Sequence, residues 1–347
     1  MLNTRWTQAL AIAGVTGFLA LTGTAGADST APIQFNYGAP TSVYPVLYVA
    51  EDLGLFEEHG LKPNFHYFDS GAPLLAGLES ESLDVVTTGL ASIFAVGRGI
   101  PVVYLFWEGD AAQAEGLVAR DGVDMQSVED LSQVGTVGVP TGTCAHVSLF
   151  HAADKAGIPY KELDTVDIAP PLYANAFHSE SIDAGLAWSP YLLDLQAQGH
   201  EVVGFDPEWV PGGGACPDMT LARKGALEEN PELGHRLAAV NAEARKALES
   251  NPDLGVQAIV SRLNVSREVA EAVLDRYLQG VPSFAEQLSP DSRYALVGAD
   301  GLVAQLVLAA ETFAELGVLD GALSEDEILR AIDADYIKSE LAAGRND

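Results

Sequence analysis

Apolar and polar positions along this chain follow two periods that keep changing places. Ile33 to Tyr37 alternates apolar with polar, the two-residue period of a strand with one buried face. Gly38-Ala39-Pro40-Thr41-Ser42 breaks that period, and Tyr44 to Phe56 then sets Val46, Leu47, Val49, Ala50 and Leu53 on one helical stripe. Gly54 and Gly60 punctuate the helix, and Pro63 to Phe68 reads as the next strand. After the polar turn Asp69 to Pro73, a helix over Leu74–Glu79, a strand over Leu83–Thr87, a helix from Ile93 and a strand over Pro101–Phe106 follow. Strand, helix and strand in succession predict a doubly wound α/β unit. Its strands end in small hydroxyl-bearing or aromatic residues, and in such sheets ligands sit beyond those ends.

The pattern then begins again. Glu115 to Arg120 reads as a crossover into a second α/β unit. Strands are predicted near Val137, near Val166, over Ala184–Trp188 and over Val202–Phe205, with helices from His146, near Ala174 and from Pro190 between them. Met219 to Ala222 reads as a return strand, and beyond Gly225 the chain is helical in pattern. Asn230-Pro231 and Asn251-Pro252 each set Pro in a first turn after an Asn cap, and Ser266, Ser289 and Ser324 are further caps. A chain of 347 residues is too long for one compact core and suits two lobes.

Residues 1–27 read as an address. Arg5 gives a positive start, Ala9 to Leu21 is apolar, and Ala25-Gly26-Ala27 offers a small-x-small cleavage pattern. The apolar run is too short to span a bilayer, so an exported, soluble chain starting at Asp28 is expected. There is no Cys at the cleavage point, which argues against a lipid anchor.

Charge narrows the partners. The formal net charge is −31, from 18 Lys and Arg against 49 Asp and Glu. Such acidity argues against nucleic acid, which needs a basic surface. Acids scattered through the helices with few lysines suit a salt-adapted surface rather than an acidic tail. Two cysteines, Cys144 and Cys216, are compatible in an exported chain with a disulfide or with two free thiols.

Candidate chemistry gathers at GVPTGTCAHVSLF, Gly138 to Phe150. A buried strand stops at Pro140 and a helix starts near His146. Between them Thr141, Gly142, Thr143, Cys144 and His146 include no carboxylate. Free N–H groups at a helix start, two hydroxyls and the helix dipole could cradle an anion, or Thr141 or Thr143 could only cap the helix. Asp218 is an acid in a charge-poor stretch, either a turn residue or a ligand group. Trp188 is either core filler or a cleft wall. No second His or carboxylate stands at metal-ligand spacing from His146, so no metal is expected. Gly212-Gly213-Gly214 lacks the spacing and lysine of a phosphate loop, and no cofactor is expected. Cys144 at a helix start with His146 nearby keeps a cysteine-dependent enzyme in view, and a ligand sensor is the other alternative.

Several stretches carry a family resemblance: FDSGAPLLAGLESESLDVVTTGLAS (Phe68–Ser92), VGVPTGTCAHVSLFHAADKAGI (Val137–Ile158), SIDAGLAWSPYL (Ser181–Leu192) and ACPDMTLARK (Ala215–Lys224). With the helical tail they resemble the periplasmic substrate-binding proteins of ABC importers, in the branch that handles taurine, alkanesulfonates and nitrate. The resemblance implies a type II periplasmic-binding-protein fold of the α/β class, two doubly wound lobes joined by two crossovers. The first lobe would comprise 28–114 and 221–347, with the helical C-terminal region packed on it, and the second 115–220. It implies a small-molecule ligand, taurine or a related sulfonate, held between the lobes, with a permease and ATPase as partners, a periplasmic location and a monomer. Nitrate, another small organic anion or a thiamine-pyrimidine-like heterocycle are the alternative ligands. By matching position, Ser70 and Ser92 would face the cleft, Thr143 and His146 would hold the anionic head beside Thr141, Trp188 would wall the cleft, and Asp218 would pair with an ammonium. Tyr44 stands where an acidic residue can occur, and Thr141, Gly142 and Cys144 depart from the taurine-type pattern.

Overall fold

The computed structural model describes residues 31–214, 216–298 and 300–344; the expected leader and its cleavage point lie outside them. Among the described residues ten strands are formed: β1 Ile33–Pro40, β2 Leu61–Phe68, β3 Val85–Thr88, β4 Val102–Asp110, β5 Glu115–Ala119, β6 Val137–Val139, β7 Thr165–Asp167, β8 Ala184–Trp188, β9 Glu201–Phe205 and β10 Pro217–Arg223. They make two five-stranded sheets, ordered β2-β1-β3-β10-β4 and β7-β6-β8-β5-β9. In the first sheet β1 runs parallel to β2 and β3, while β10 is antiparallel to β3 and β4. The second repeats the scheme: β6 is parallel to β7 and β8, and β5 is antiparallel to β8 and β9. Helices join the parallel strands, as crossovers require.

The chain passes from the first sheet to the second between Asp110 and Glu115 and returns between Phe205 and Pro217. Asp110 ties the two passages together. Its Oδ1 accepts from the Ala112 and Cys216 N–H groups, and its Oδ2 from Arg293. The C-terminal helices pack on the first sheet through a buried network: Asn241 Nδ2 donates to Glu108 Oε2 at 2.8 Å, and Arg245 donates to Asn241 and to the carbonyls of Pro282 and Trp107. Burial pushes the Glu108 carboxyl up to about 7, and the Arg245 guanidinium holds it back.

Three local expectations are corrected. The helix read over Tyr44–Phe56 is two helices, Pro45–Asp52 and Leu55–Glu58, because Gly54 adopts φ +73° between them. The segment read as a crossover, Glu115–Arg120, is for its first five residues strand β5, Glu115–Ala119, inside the second sheet. Its five residues are buried on both faces, so no alternation marks it. Ser289 closes the helix Phe284–Leu288 rather than opening one; Ser283 forms that helix's capping box with Glu286.

Candidate ligand-binding site

A pocket opens where the carboxyl ends of β1, β3 and β8 meet the start of the helix Cys144–Lys155. Its walls include Tyr44, Gly71, Thr88, Gly89, Glu115, Thr143, Cys144, Trp188, Cys216 and Asp218. The space open to the centre of a water-sized sphere is about 50 Å³. Tyr191 of the second half donates to the Thr41 carbonyl of the first at 3.3 Å.

The structure brings Tyr44, Thr143, Trp188 and Asp218 together around this pocket; Ser70, Ser92, Thr141 and His146 are not on its wall. The local hydrogen bonds of the 140–146 loop explain the division. Thr141 is exposed and its N–H donates to Asp167 at 2.9 Å. The Gly142 N–H donates to His146 Nδ1 at 3.2 Å, and the imidazole packs against Tyr160 and Phe313. Burial lowers the His146 pKa to about 4, so the ring is neutral. Thr143 Oγ1 donates to the Pro140 carbonyl at 2.7 Å. The first N–H groups of the helix, at Cys144 and Ala145, have no intrahelical acceptor, and Cys144 lines the pocket, so this helix start is where an anion would be met. The buried Trp188 Nε1–H has no hydrogen-bond partner among the described residues. Ser70 is half-buried in the turn before Gly71, and Ser92 is buried one turn beyond Gly89.

The opposite chemistry stands beside it. Asp218, only 5 % exposed, has no hydrogen-bond or ion-pair partner for its side chain among the described residues. Burial, with Asp110 and Glu108 nearby, pushes its carboxyl well above the usual range. Its field, added to burial, raises the Tyr44 hydroxyl too. Glu115, which the sequence reading did not single out, is directly across the β5–β8 ladder from Trp188 and is 1 % exposed. Burial and the adjacent Asp206 push its carboxyl well up. Among the described residues, no Lys or Arg lines the pocket.

Cys144 and Cys216 form a disulfide, with Cα atoms 5.4 Å apart. This resolves the alternatives left open for the two cysteines: Cys144 carries no thiolate. Glu115 has an oxygen within 4.8 Å of both sulfurs, but a bridged pair does not ligate a metal. Gly89 is where the bridge and the acid meet. A Cβ there would lie 2.9 Å from Cys144 Sγ, 3.5 Å from Asp218 Oδ1 and 3.7 Å from Cys216 Sγ.

Among the described residues, no helix is long and apolar enough to cross a membrane. The NMT1/THI5-like family matches this chain over residues 42–254, more than half its length. A binding protein of Brucella abortus (strain 2308) is 28 % identical over 215 residues, 61 % of this chain and 66 % of that protein. The taurine-binding periplasmic protein of Escherichia coli (strain K12) is 26 % identical over 212 residues, 60 % of this chain and 62 % of that one. Each alignment thus spans just under two thirds of the relative's length. The crystal structure of the periplasmic aliphatic sulphonate binding protein of Escherichia coli superposes with a TM-score of 0.70 at 20 % identity, covering 89 % of this chain and all of that one. The two-sheet architecture is accordingly the two-lobed α/β fold of periplasmic binding proteins.

Proposed function

The chain belongs to the NMT1/THI5-like family, and from that premise we propose that it is the extracytoplasmic solute-binding component of an ABC importer. Its ligand is a small zwitterion, taurine or a related aminosulfonate, delivered to a membrane permease and its ATPase. The protein works in the periplasm, as a monomer, and binds without catalysing a reaction.

One observation carries the choice of ligand. Asp218 is buried in the pocket with no cation among the described residues to meet it. A buried carboxyl without a partner is costly, and a ligand ammonium removes that cost by restoring its charge and its hydrogen bonds. The sulfonate end then meets the N–H groups that open the Cys144 helix and the Trp188 Nε1–H, while Tyr44 packs against the body of the ligand. Nitrate or a plain alkanesulfonate would gain the donors but leave Asp218 unanswered. The bridged cysteines take away the nucleophile that a cysteine-dependent enzyme would need.

Isothermal titration of the purified protein with taurine, ethanesulfonate and nitrate tests the proposal. Taurine is expected to bind tightest. Asp218→Ala should weaken taurine by roughly 30-fold, the scale of a lost hydrogen bond to a charged group, and leave ethanesulfonate within about twofold of wild type. Equal losses for both ligands would refute the role of Asp218.

A further inference from the structure

The second acid of the pocket has no task in that proposal. Glu115 opens β5 in the second sheet, whereas Asp218 belongs to β10 in the first, so the two carboxyls reach the ligand space from opposite halves of the molecule. Asp206, itself 1 % exposed, lies against Glu115 from the return passage. Asp206 is held in turn by Ser148, whose Oγ–H donates to its Oδ1, and Ser148 Oγ accepts from Trp209 Nε1 at 2.8 Å. The donors of this chain of hydrogen bonds therefore end on Asp206. Glu115 Oε1 is fully buried and receives no N–H or O–H from the described residues.

Two buried carboxyls in contact, with no cation between them, cannot both be ionised. The hydrogen-bond directions decide which one keeps the proton. Asp206 already accepts from Ser148 and is the acceptor a neighbouring acid would donate to. Glu115, which has no other donor, holds the proton and directs it at Asp206. Its second oxygen is left as a neutral acceptor for the pocket. The other titratable groups facing Glu115 are Asp218, Asp110 and the Tyr173 hydroxyl. Asp110 is paired with Arg293, and Tyr173 donates to the Leu186 carbonyl, so neither takes the place of Asp206.

We propose that Glu115 is a second specificity-determining residue, a neutral acid positioned by Asp206 that accepts an N–H from the cationic end of the ligand while Asp218 meets its charge. The inference rests on the zwitterion reading above and narrows it. The cationic end must carry at least two N–H bonds, one for each acid. A primary ammonium or an amidinium qualifies; a quaternary ammonium, which has none, does not, although its charge is the same.

The test pairs binding with a readout that needs no ligand. Taurine, its N,N,N-trimethyl analogue, methylammonium and tetramethylammonium are titrated into the wild type, Glu115→Leu and Glu115→Gln. The infrared C=O stretch of protonated carboxyls is recorded at neutral pH without ligand. Expected in the wild type are a preference of at least about tenfold for taurine over its trimethyl analogue and a protonated-carboxyl absorption that Glu115→Gln reduces, the part from Asp218 remaining. Glu115→Leu should lose most of that preference. Glu115→Gln should recover it, because its amide donates to Asp206 and its carbonyl accepts from the ligand as the neutral acid does. A band unchanged by Glu115→Gln, equal binding of the taurine pair, or Glu115→Gln as damaging as Glu115→Leu would each overturn the proposal. A wild type that prefers methylammonium to tetramethylammonium yet binds no sulfonate would refute the aminosulfonate reading and leave the role of Glu115 standing. Failure to distinguish the two simple cations would remove that role.

Discussion

Cys144, in the first turn of its helix, is bonded to Cys216, which stands just before β10, so one covalent bond joins the second half of the molecule to the strand that returns to the first. The bond also forms part of the pocket wall. It closes a loop with a sequence separation of 72 residues, for which the chain-entropy model gives about 4 kcal/mol of stabilisation. Reduction is therefore expected to lower the melting temperature of the wild type. Cys144→Ser combined with Cys216→Ser should lower it to the same point and be insensitive to reductant. A wild type fully reduced by mass spectrometry yet unchanged in melting temperature would refute this.

Gly89 offers a steric test of the same corner. Its φ of −75° is not in the left-handed region that favours glycine, and the new methyl of Gly89→Ala meets the bridge. Overpacking of this kind costs about 1–3 kcal/mol, and the methyl also takes up space beside Asp218. Gly89→Ala is expected to lose taurine affinity and some stability. The stability loss should shrink in the Cys144→Ser, Cys216→Ser background, since an unbridged hydroxymethyl side chain can turn aside. Denaturant melts of the four proteins check it, and an equal loss in both backgrounds would show that the bridge is not what the methyl meets.

Much of this site was legible in the sequence, and what was not has physical reasons. Trp188 and Asp218 stand at strand ends, and each end is marked in the sequence by a neighbouring proline, Pro190 after β8 and Pro217 at the start of β10. Glu115 escaped notice because β5 is five residues long and buried on both faces, and a strand without alternation reads as a connection. Its partner Asp206 comes from the return passage, and only the sheet order β8-β5-β9 brings them together. The loop from Thr141 to His146 was legible as a strand–helix junction. The direction of each side chain was not, because it depends on Asp167 accepting from one N–H and on the His146 ring turning back to accept from another.

Asp218 should make the ligand-free protein sensitive to pH. Its folded pKa lies well above its ordinary value of 3.8, so the native state holds a proton that the unfolded chain releases. The stability this contributes is complete below about pH 4 and falls as pH rises toward the folded value, by about 1.4 kcal/mol per pH unit inside that window. Asparagine is neutral throughout and escapes the decline. Asp218→Asn is expected to raise the ligand-free melting temperature at pH 8 relative to wild type by more than at pH 5, while abolishing the preference for taurine over ethanesulfonate. A pH-independent difference would mean that Asp218 is already ionised in the empty pocket.

His146 has the opposite sign. Its imidazole is neutral in the fold, with a pKa near 4 against an ordinary 6.5, because burial among Tyr160 and Phe313 disfavours the charge more than Asp167 favours it. Between those two values the unfolded chain binds the proton and the native state does not, so stability is complete above pH 6.5 and is lost as pH falls toward 4. The full window is worth about 3 kcal/mol. His146→Gln does not titrate, and its amide oxygen can accept the Gly142 N–H in place of Nδ1. At pH 7 the variant is expected to be less stable than wild type, through lost packing; at pH 4.5 the gap should narrow or reverse. Chemical denaturation at the two pH values measures this. Taurine affinity at pH 7 should stay within about twofold of wild type, because the ring is turned from the pocket toward Phe313. A gap that is the same at both pH values would show that His146 is charged in the fold, and a large loss of taurine affinity would put it back among the groups that hold the ligand.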